Sequence, residues 1–240
     1  MAATTVKKGI YLSPSALSVF RDCPRCFWLE KVKNIKRPRG IFPSLPTGMD
    51  RVIKNYFDLY RGKGVLPPEF AQASLPGLSL YANQRQLDLW REWKTGPRFE
   101  DEDGSILSGA IDDLLVHEGK HVPFDYKTKG EPFTSAEAAT AYAERYYQSQ
   151  IDCYALILEK SGLAQSGFGF LVFYAPNQVR ENAWVGFNVR PVRVQTDTGR
   201  ALKMFRNAVA LLKGEIPSAS AGCEYCTWLG QFDPAKTFTR

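Results

Sequence analysis

The sequence lacks any apolar run that approaches the ~20 residues needed to cross a bilayer. The longest such run lies around residues 168–175. An exported protein begins with basic residues, an apolar stretch and then a small-residue cleavage site. The first eight residues contain two lysines, but no such apolar stretch and cleavage site follow them. We therefore expect no membrane-spanning helix and a cytoplasmic location. An apolar fraction of 44% excludes a disordered chain, and no repeat or flexible linker divides the sequence into separate domains.

Cysteine is scarce, with five in 240 residues, and a reducing compartment does not favour disulfides. Four of the five form two Cys-x2-Cys pairs near the two ends of the chain, Cys23 with Cys26 and Cys223 with Cys226. Such pairs suit either a tetrahedral Zn²⁺ or an iron–sulfur cluster, and their spacing does not distinguish the two. Buried free thiols are the alternative. A shared metal site would join the N-terminal helices to the C-terminus.

Basic residues exceed acidic ones, 31 against 25, for a formal net charge of +6. This surplus favours an anionic partner, nucleic acid first, although it also promotes solubility. A basic, proline-containing segment over residues 31–39 is predicted to be a loop that contacts phosphates without reading sequence. A solvated charged face is the other interpretation of that loop. Its candidate residues are Lys31, Lys33, Lys36, Arg37 and Arg39, and weaker candidates elsewhere are Lys94, Arg98, Arg190 and Arg193.

The order of periodic segments predicts an α/β domain with a mixed sheet. Helices are expected from Pro14 with Ser13 as its cap, over 27–32, from Thr47 and from Asn83. Strands are expected over 106–116 and 121–127, joined by a tight turn at 118–119, and again over 168–175 and 184–195. A capping box at Thr134 and Glu137 predicts a long helix that ends before Gly162, and a last helix is expected over 197–213.

Acidic residues on the predicted strand pair are the strongest candidates for chemistry. Asp112 and Asp125 lie 13 residues apart across a short turn, which could bring two carboxylates together as ligands for Mg²⁺. Asp125 and Lys127 share one face of their strand, so the ammonium could reach a metal-bound water or a phosphate. An ion pair on a solvated edge would explain the same two residues. Gln150 and Tyr154 lie one turn apart on the long helix, where a tyrosine more often serves as core.

Several motifs occur in a recognisable order: Ser13-Pro-Ser15 before Cys23-Pro-Arg, then Gly109-Ala-Ile-Asp112, Asp125-Tyr-Lys-Thr128, Gln150-Ile-Asp-Cys-Tyr154 and Cys223-Glu-Tyr-Cys226. Together they resemble the motifs of the RecB-like branch of the PD-(D/E)xK nuclease superfamily. Within that branch they resemble the iron–sulfur exonucleases typified by CRISPR-associated and helicase–nuclease members.

This resemblance implies a restriction-endonuclease-like α/β core, a central mixed sheet flanked by helices, with its N- and C-terminal segments joined by a four-cysteine site. It implies a single domain over 1–240: a helical part over 1–100, the nuclease core over 101–214 and a cysteine segment over 215–240. The implied activity is Mg²⁺- or Mn²⁺-dependent DNA hydrolysis, most often by an exonuclease. The implied partners are single-stranded DNA or the ends of double-stranded DNA, and proteins of DNA repair or CRISPR adaptation. It also favours an iron–sulfur cluster over Zn²⁺ at the cysteines.

The same resemblance assigns roles to individual residues. Asp112, Asp125 and the Tyr126 carbonyl would bind the metal, and Lys127 would orient or deprotonate the attacking water. Gln150 and Tyr154 would position that lysine or the DNA backbone. The chain departs from the family pattern in two places: Asp50 stands near the position of an expected histidine, and the cysteines divide two and two rather than one and three.

Two other functions are compatible with the sequence. One is a catalytically inactive nucleic-acid-binding or scaffolding protein that retains the same fold. The other is a zinc-stabilised interaction module unrelated to nucleases, which would leave the charged strand residues unexplained.

Overall fold

The computed structural model describes residues 9–38, 44–73 and 75–231. Arg39, one of the predicted phosphate contacts, lies outside these ranges. The helices are α1 (Pro14–Asp22), α2 (Pro24–Lys33), α3 (Ser44–Lys63), α4 (Gln84–Arg91), α5 (Ala136–Lys160), α6 (Thr198–Leu212) and α7 (Glu224–Gln231). The strands are β1 (Tyr11–Leu12), β2 (Leu78–Leu80), β3 (Arg98–Glu100), β4 (Ile106–Ser108), β5 (Asp113–His117), β6 (Lys120–Thr128), β7 (Phe168–Arg180) and β8 (Trp184–Gln195).

The main sheet has five strands in the order β2-β5-β6-β7-β8. Only β6 and β7 run parallel within it, and α5 is the crossover that a parallel pair requires. A smaller sheet has the order β1-β4-β3. The predicted α/β fold with a mixed sheet flanked by helices is therefore confirmed. Strands β1, β2 and β3 lie within residues 1–100, the part that the sequence predicts to be helical.

Helices cover both faces of the main sheet. On one face, Ile151 and Tyr154 of α5 pack against Leu171 and Phe173 of β7. On the other face, the Phe57 ring of α3 lies 5.3 Å and 5.0 Å from the rings of Phe124 and Tyr126 on β6. Helices α1, α2 and α6 contribute to a third cluster on the far side of α5. Strand β6 is thus buried on both faces, so any polar side chain on it needs a partner.

Local signals place most element boundaries. The Ser13 hydroxyl accepts a hydrogen bond from the Ala16 amide at the start of α1, as predicted. The β5–β6 turn contains Glu118 and Gly119 with φ of 50° and 75°, the left-handed pair that a two-residue hairpin turn requires. The predicted capping box of α5 is wrong by one residue, because Ser135 caps the helix and accepts from Ala138.

Other predicted boundaries also differ. Helix α3 begins at Ser44 rather than at Thr47, and α2 begins at Pro24, which fits the first position of a helix because proline has no amide hydrogen to satisfy there. Strand β7 continues beyond residue 175 to Arg180 because its last residues pair with β8. Helix α7, directly after Cys223, has no counterpart in the sequence prediction.

The predicted strand over 106–116 is interrupted at residues 109–112, a segment that contains Asp112. Strand β4 belongs to the small sheet and β5 to the main sheet, so residues 109–112 cross between the two. Glycine suits position 109 of this crossing because it has no side chain. A Cβ there would lie 3.0 Å from Cδ of Pro14, which is closer than an ordinary van der Waals contact. Asp112 therefore lies on the connection directly before β5, beside β6, instead of within a strand.

Candidate active site

One cleft of about 480 Å³ brings together side chains from distant parts of the chain. Its wall includes Ser13, Pro14 and Ser15 at the start of α1, and the aromatic residues Tyr11 and Trp93. The five predicted catalytic residues all line it: Asp112, Asp125, Lys127, Gln150 and Tyr154. They arrive from the β4–β5 connection, from one face of β6 and from one face of α5.

Asp125 is the buried centre of this group. Its Oδ1 accepts a hydrogen bond of 2.9 Å from Nε2 of Gln150 and one of 3.4 Å from the Tyr154 hydroxyl. The Gln150 amide also donates to that hydroxyl at 2.8 Å. The Oδ2 atom is buried against the Lys127 ammonium and accepts no hydrogen bond of regular geometry from the described residues. Gln150 and Tyr154 thus orient Asp125 rather than Lys127 in this arrangement.

Burial and charge set the ionisation of the pair formed by Asp125 and Lys127. Burial raises the pKa of Asp125 to about 7, with Lys127 opposing the rise and the nearby Asp112 carboxylate adding to it. Burial by itself would lower the pKa of Lys127, but the Asp125 and Asp112 carboxylates raise it above its usual value. Lys127 is therefore an ammonium at neutral pH in this arrangement, suited to offset negative charge.

A second lysine, Lys54 on α3, contacts the other carboxylate. Its Nζ lies 2.9 Å from Oδ1 of Asp112 and 2.9 Å from Oδ2 of Asp50. Burial opposes the charge on Lys54, but these two carboxylates outweigh it and raise its pKa. Asp50 is therefore linked to the site indirectly, because Lys54 pairs with both Asp50 and Asp112. Sequence reasoning missed Lys54, although its position four residues after Asp50 on a helix is a signal for such a pair.

The donor atoms of the cleft fit a hard divalent cation. Two carboxylates face each other closely enough for Asp112 to raise the pKa of Asp125, and Asp125 Oδ2 is buried without a regular hydrogen bond. Among the described residues the lining offers carboxylate, amide and hydroxyl groups and neither imidazole nor thiol. Oxygen-rich sites of this kind suit Mg²⁺ or Mn²⁺. The Tyr126 side chain points to the opposite face of β6, so only its carbonyl is compatible with the predicted ligand role.

A buried ionic network lies directly behind the cleft, and sequence reasoning missed it. Asp113, with no exposed surface, accepts from Nη2 of Arg61 at 2.6 and 2.8 Å, from Nη2 of Arg91 at 3.1 Å and from the Tyr126 hydroxyl. Arg91 also donates through Nε to the Asp112 carbonyl at 2.9 Å. The adjacent residues Asp112 and Asp113 thus lie in different surroundings, the cleft and the buried network, and Arg91 donates hydrogen bonds to both.

The four paired cysteines converge, as predicted, at a place separate from the cleft. Their sulfur atoms all lie within 4.8 Å of one another, and three of the four residues are buried. Cys23 follows the end of α1, while Cys223 precedes α7, so the site joins the two ends of the described chain. Cys153 lies elsewhere, in the core shared by α1, α5 and α6.

The predicted phosphate contacts on residues 31–38 lie beside this cysteine site. Lys31 and Lys33 belong to the last turn of α2 rather than to a loop, and Lys36 follows them. The Arg37 guanidinium lies 4.7 Å from the ring centre of Tyr225 and contacts the Cys26 thiol. Among the weaker candidates, Arg193 covers the Phe168 ring and Lys94 approaches Trp93. Arg98 lies on β3, and Arg190 is level with Lys127 across β7.

None of the described helices is long and apolar enough to span a bilayer.

The chain matches no curated protein in sequence. The sequence profile of the PD-(D/E)XK nuclease superfamily, however, matches residues 11–230, nearly the whole length. Members of this superfamily are typically metal-dependent nucleases that act on nucleic acids. The chain therefore belongs to the PD-(D/E)XK nuclease superfamily.

Proposed function

We propose that the protein is a Mg²⁺- or Mn²⁺-dependent DNA nuclease, and that the cleft containing Asp112, Asp125 and Lys127 is its active site. The observation that carries the proposal is the convergence of two carboxylates and an ammonium in one cleft, with Asp125 held by Gln150 and Tyr154. A purely structural ion pair between Asp125 and Lys127 would not require Asp112 beside it, because this second carboxylate, although paired with Lys54, still opposes the charge on Asp125.

In this proposal Asp112, Asp125 and the Tyr126 carbonyl hold the cation. The cation would supply a Lewis acid that polarises the phosphodiester and activates water. Lys127, as an ammonium, offsets charge that develops on the phosphate and orients the water. Gln150 and Tyr154 keep Asp125 in one orientation, and Arg91 holds the Asp112 backbone from behind.

The direct test is cleavage of labelled DNA by the purified full-length protein in the presence of Mg²⁺ or Mn²⁺. We expect Lys127→Met to lose most turnover, because it removes the ammonium that faces the reacting phosphate. Lys129→Met is the matched control, since Lys129 follows the same strand and donates to the Glu131 carbonyl outside the cleft. Absence of metal-dependent cleavage in the parent protein, or equal losses in the two variants, would contradict the proposal.

The proposal extends to exonuclease action on DNA, which rests on the family resemblance and on the +6 charge. An exonuclease needs a free end, so it should degrade linear DNA and leave a closed circle of the same sequence intact. Cleavage of both substrates at similar rates would assign an endonuclease instead. Parallel RNA substrates of the same sequence test whether DNA is the preferred polymer.

The basic segment remains a proposed backbone contact through Lys31, Lys33 and Lys36, with Arg39 as a further candidate. Neutralising Lys33 and Lys36 together should weaken binding to all DNA sequences alike and flatten its dependence on salt. Arg37 is left unchanged in this test because it contacts the cysteine site. An unchanged salt slope would show that the segment is only a solvated face.

We also propose that residues 1–240 form one nuclease domain, with an N-terminal part over 1–100 that contains three short strands beside its helices, the core over 101–214 and a cysteine segment over 215–240. The pairing of β1 with β4 and the meeting of the terminal cysteines support this. The clustered thiols suit a reducing cytoplasm. Partners in DNA repair or CRISPR adaptation stay predictions of the resemblance, tested by co-purification with the tagged protein.

A further inference from the structure

We propose that the four-cysteine site holds one tetrahedral Zn²⁺ ion rather than the iron–sulfur cluster that the family resemblance favours. This site is separate from the proposed active site. The spacing of the sulfur atoms, the helices that present them and their surroundings all favour zinc, and none of these features depends on the proposed nuclease activity.

The sulfur atoms have the spacing of ligands to a single ion. Sγ of Cys26 lies 3.6 Å from Sγ of Cys223 and 3.6 Å from Sγ of Cys226, and Sγ of Cys23 lies 3.8 Å from Sγ of Cys226. Four sulfurs at about 2.3 Å from one tetrahedral zinc lie about 3.8 Å from each other. These three distances agree with that edge length, and no pair of the four exceeds 4.8 Å.

A cluster does not fit this spacing. In any iron–sulfur cluster at least two thiolates bind different irons, which are bridged by sulfide, so their sulfurs lie about 6 Å apart or more. The group here is too compact for such a pair. It is also too wide for a disulfide, whose sulfurs would be about 2.05 Å apart. The arrangement thus leaves room for one ion between four thiolates.

The two cysteine pairs are presented in the same way. Cys23 caps α2 and Cys26 lies in its first turn, while Cys223 precedes α7 and its carbonyl accepts from the Thr227 amide. Each pair thus occupies a helix N-terminus, where the partial positive charge stabilises thiolates.

Arg37 supplies a further positive charge. Its guanidinium contacts the Cys26 thiol, and it is held against the Tyr225 ring of α7. Four thiolates around Zn²⁺ carry a net charge of −2, so a neighbouring cation and two helix N-termini reduce the cost of burying that charge. Arg37 therefore stabilises the site without binding the ion itself.

The position of the site indicates what the ion does. Helix α1 ends beside Cys23, and its opposite end, Pro14, lines the active-site cleft. The Arg21 side chain of α1 also donates to Ser149 on α5. An ion that ties α1 to α7 closes a loop of about 200 residues, so its loss should loosen the fold and the α1 wall of the cleft together.

The test is the metal content of the full-length protein, produced in medium that contains both zinc and iron and purified without oxygen. Elemental analysis should give one zinc per chain, no acid-labile sulfide and no visible absorption band. Replacement by Co²⁺ should give the intense visible bands of a tetrahedral thiolate site. Iron with sulfide would overturn the proposal in favour of a cluster, iron without sulfide would assign a mononuclear iron site, and absence of metal would leave four ordinary thiols.

Two variants make the assignment specific. Cys223→Ser should lower zinc content by at least about half and lower the thermal midpoint, whereas Cys153→Ser should retain a full equivalent of zinc, because Cys153 lies in a separate part of the core. Since Cys223→Ser could fail to fold, Arg37→Gln provides a milder change, and we expect it to speed zinc transfer to a chelating dye severalfold. An unchanged transfer rate would contradict the role of Arg37, and equal zinc in both cysteine variants would contradict the site.

Discussion

Asp113 should be the most sensitive ionic residue for stability, although it lies outside the proposed ligand set. Its side chain has no exposed surface, and that of Arg61, its bidentate partner, is only 2% exposed. Asp113→Asn keeps the size of the side chain but removes the negative charge between two guanidinium groups. The matched control is Asp103→Asn, which removes a carboxylate from an exposed pair with Lys213 and keeps the oxygen that accepts from Ser105.

The expected loss in the free energy of unfolding depends on which carboxylates remain near Arg61 and Arg91. Removing one partner of a buried ion pair costs about 3–5 kcal/mol, because the other charge stays buried without compensation. Asp58 still pairs with Arg91 at 2.7 Å and more distantly with Arg61, so we expect the lower end, about 3 kcal/mol. An exposed pair such as Asp103 with Lys213 contributes about 0–1 kcal/mol.

Urea unfolding followed by circular dichroism measures this difference. With a slope of about 3 kcal/mol per molar urea, Asp113→Asn should lower the midpoint by about 1 M, and Asp103→Asn should leave it almost unchanged. The variant should also bind Mn²⁺ more weakly, because Arg91 holds the Asp112 carbonyl. Equal midpoints for the two variants would refute the conclusion that burial, rather than ion pairing as such, makes Asp113 important.

Three further outcomes are expected. Burial acts to raise the pKa of Asp58, but pairing with Arg91 outweighs burial and lowers that pKa below its usual value. The ionised Asp58 side chain therefore stabilises the fold above about pH 4, and this stabilisation is lost as the pH falls further. Asp58→Asn should therefore flatten the acid limb of stability in urea titrations at several pH values, and an unchanged limb would contradict this. Lys54→Met should tighten Mn²⁺ binding by about tenfold in calorimetry, because it removes a cation from the carboxylates; equal affinity would contradict this. Trp93→Ala, at a side chain largely exposed on the rim of the cleft, should raise KM for single-stranded DNA by at least about fivefold with little change in kcat, because stacking is lost; an unchanged KM would exclude stacking there.

The sequence alone determined the features that depend on neighbouring residues. The Ser13 cap, the Glu118-Gly119 turn and the α5 crossover follow from local conformational preferences. The order and spacing of the motifs were sufficient to indicate the superfamily, which the profile match over residues 11–230 confirms. The convergence of the four cysteines was also predictable, because two short-spaced cysteine pairs in one chain are typical of a shared metal site.

The tertiary structure decided which distant groups meet. Residues 106–116 look like one strand, but its two halves join different sheets. Asp112 still meets Asp125, as the sequence predicts, because the β5–β6 hairpin pairs the neighbouring Asp113 with Phe124. Lys54 and Arg91 come from helices whose packing the local pattern does not encode, so their contacts with Asp112 were not predictable. Each of these contacts joins residues more than 20 positions apart. Such contacts depend on how the layers pack, a property of the whole chain rather than of any local segment.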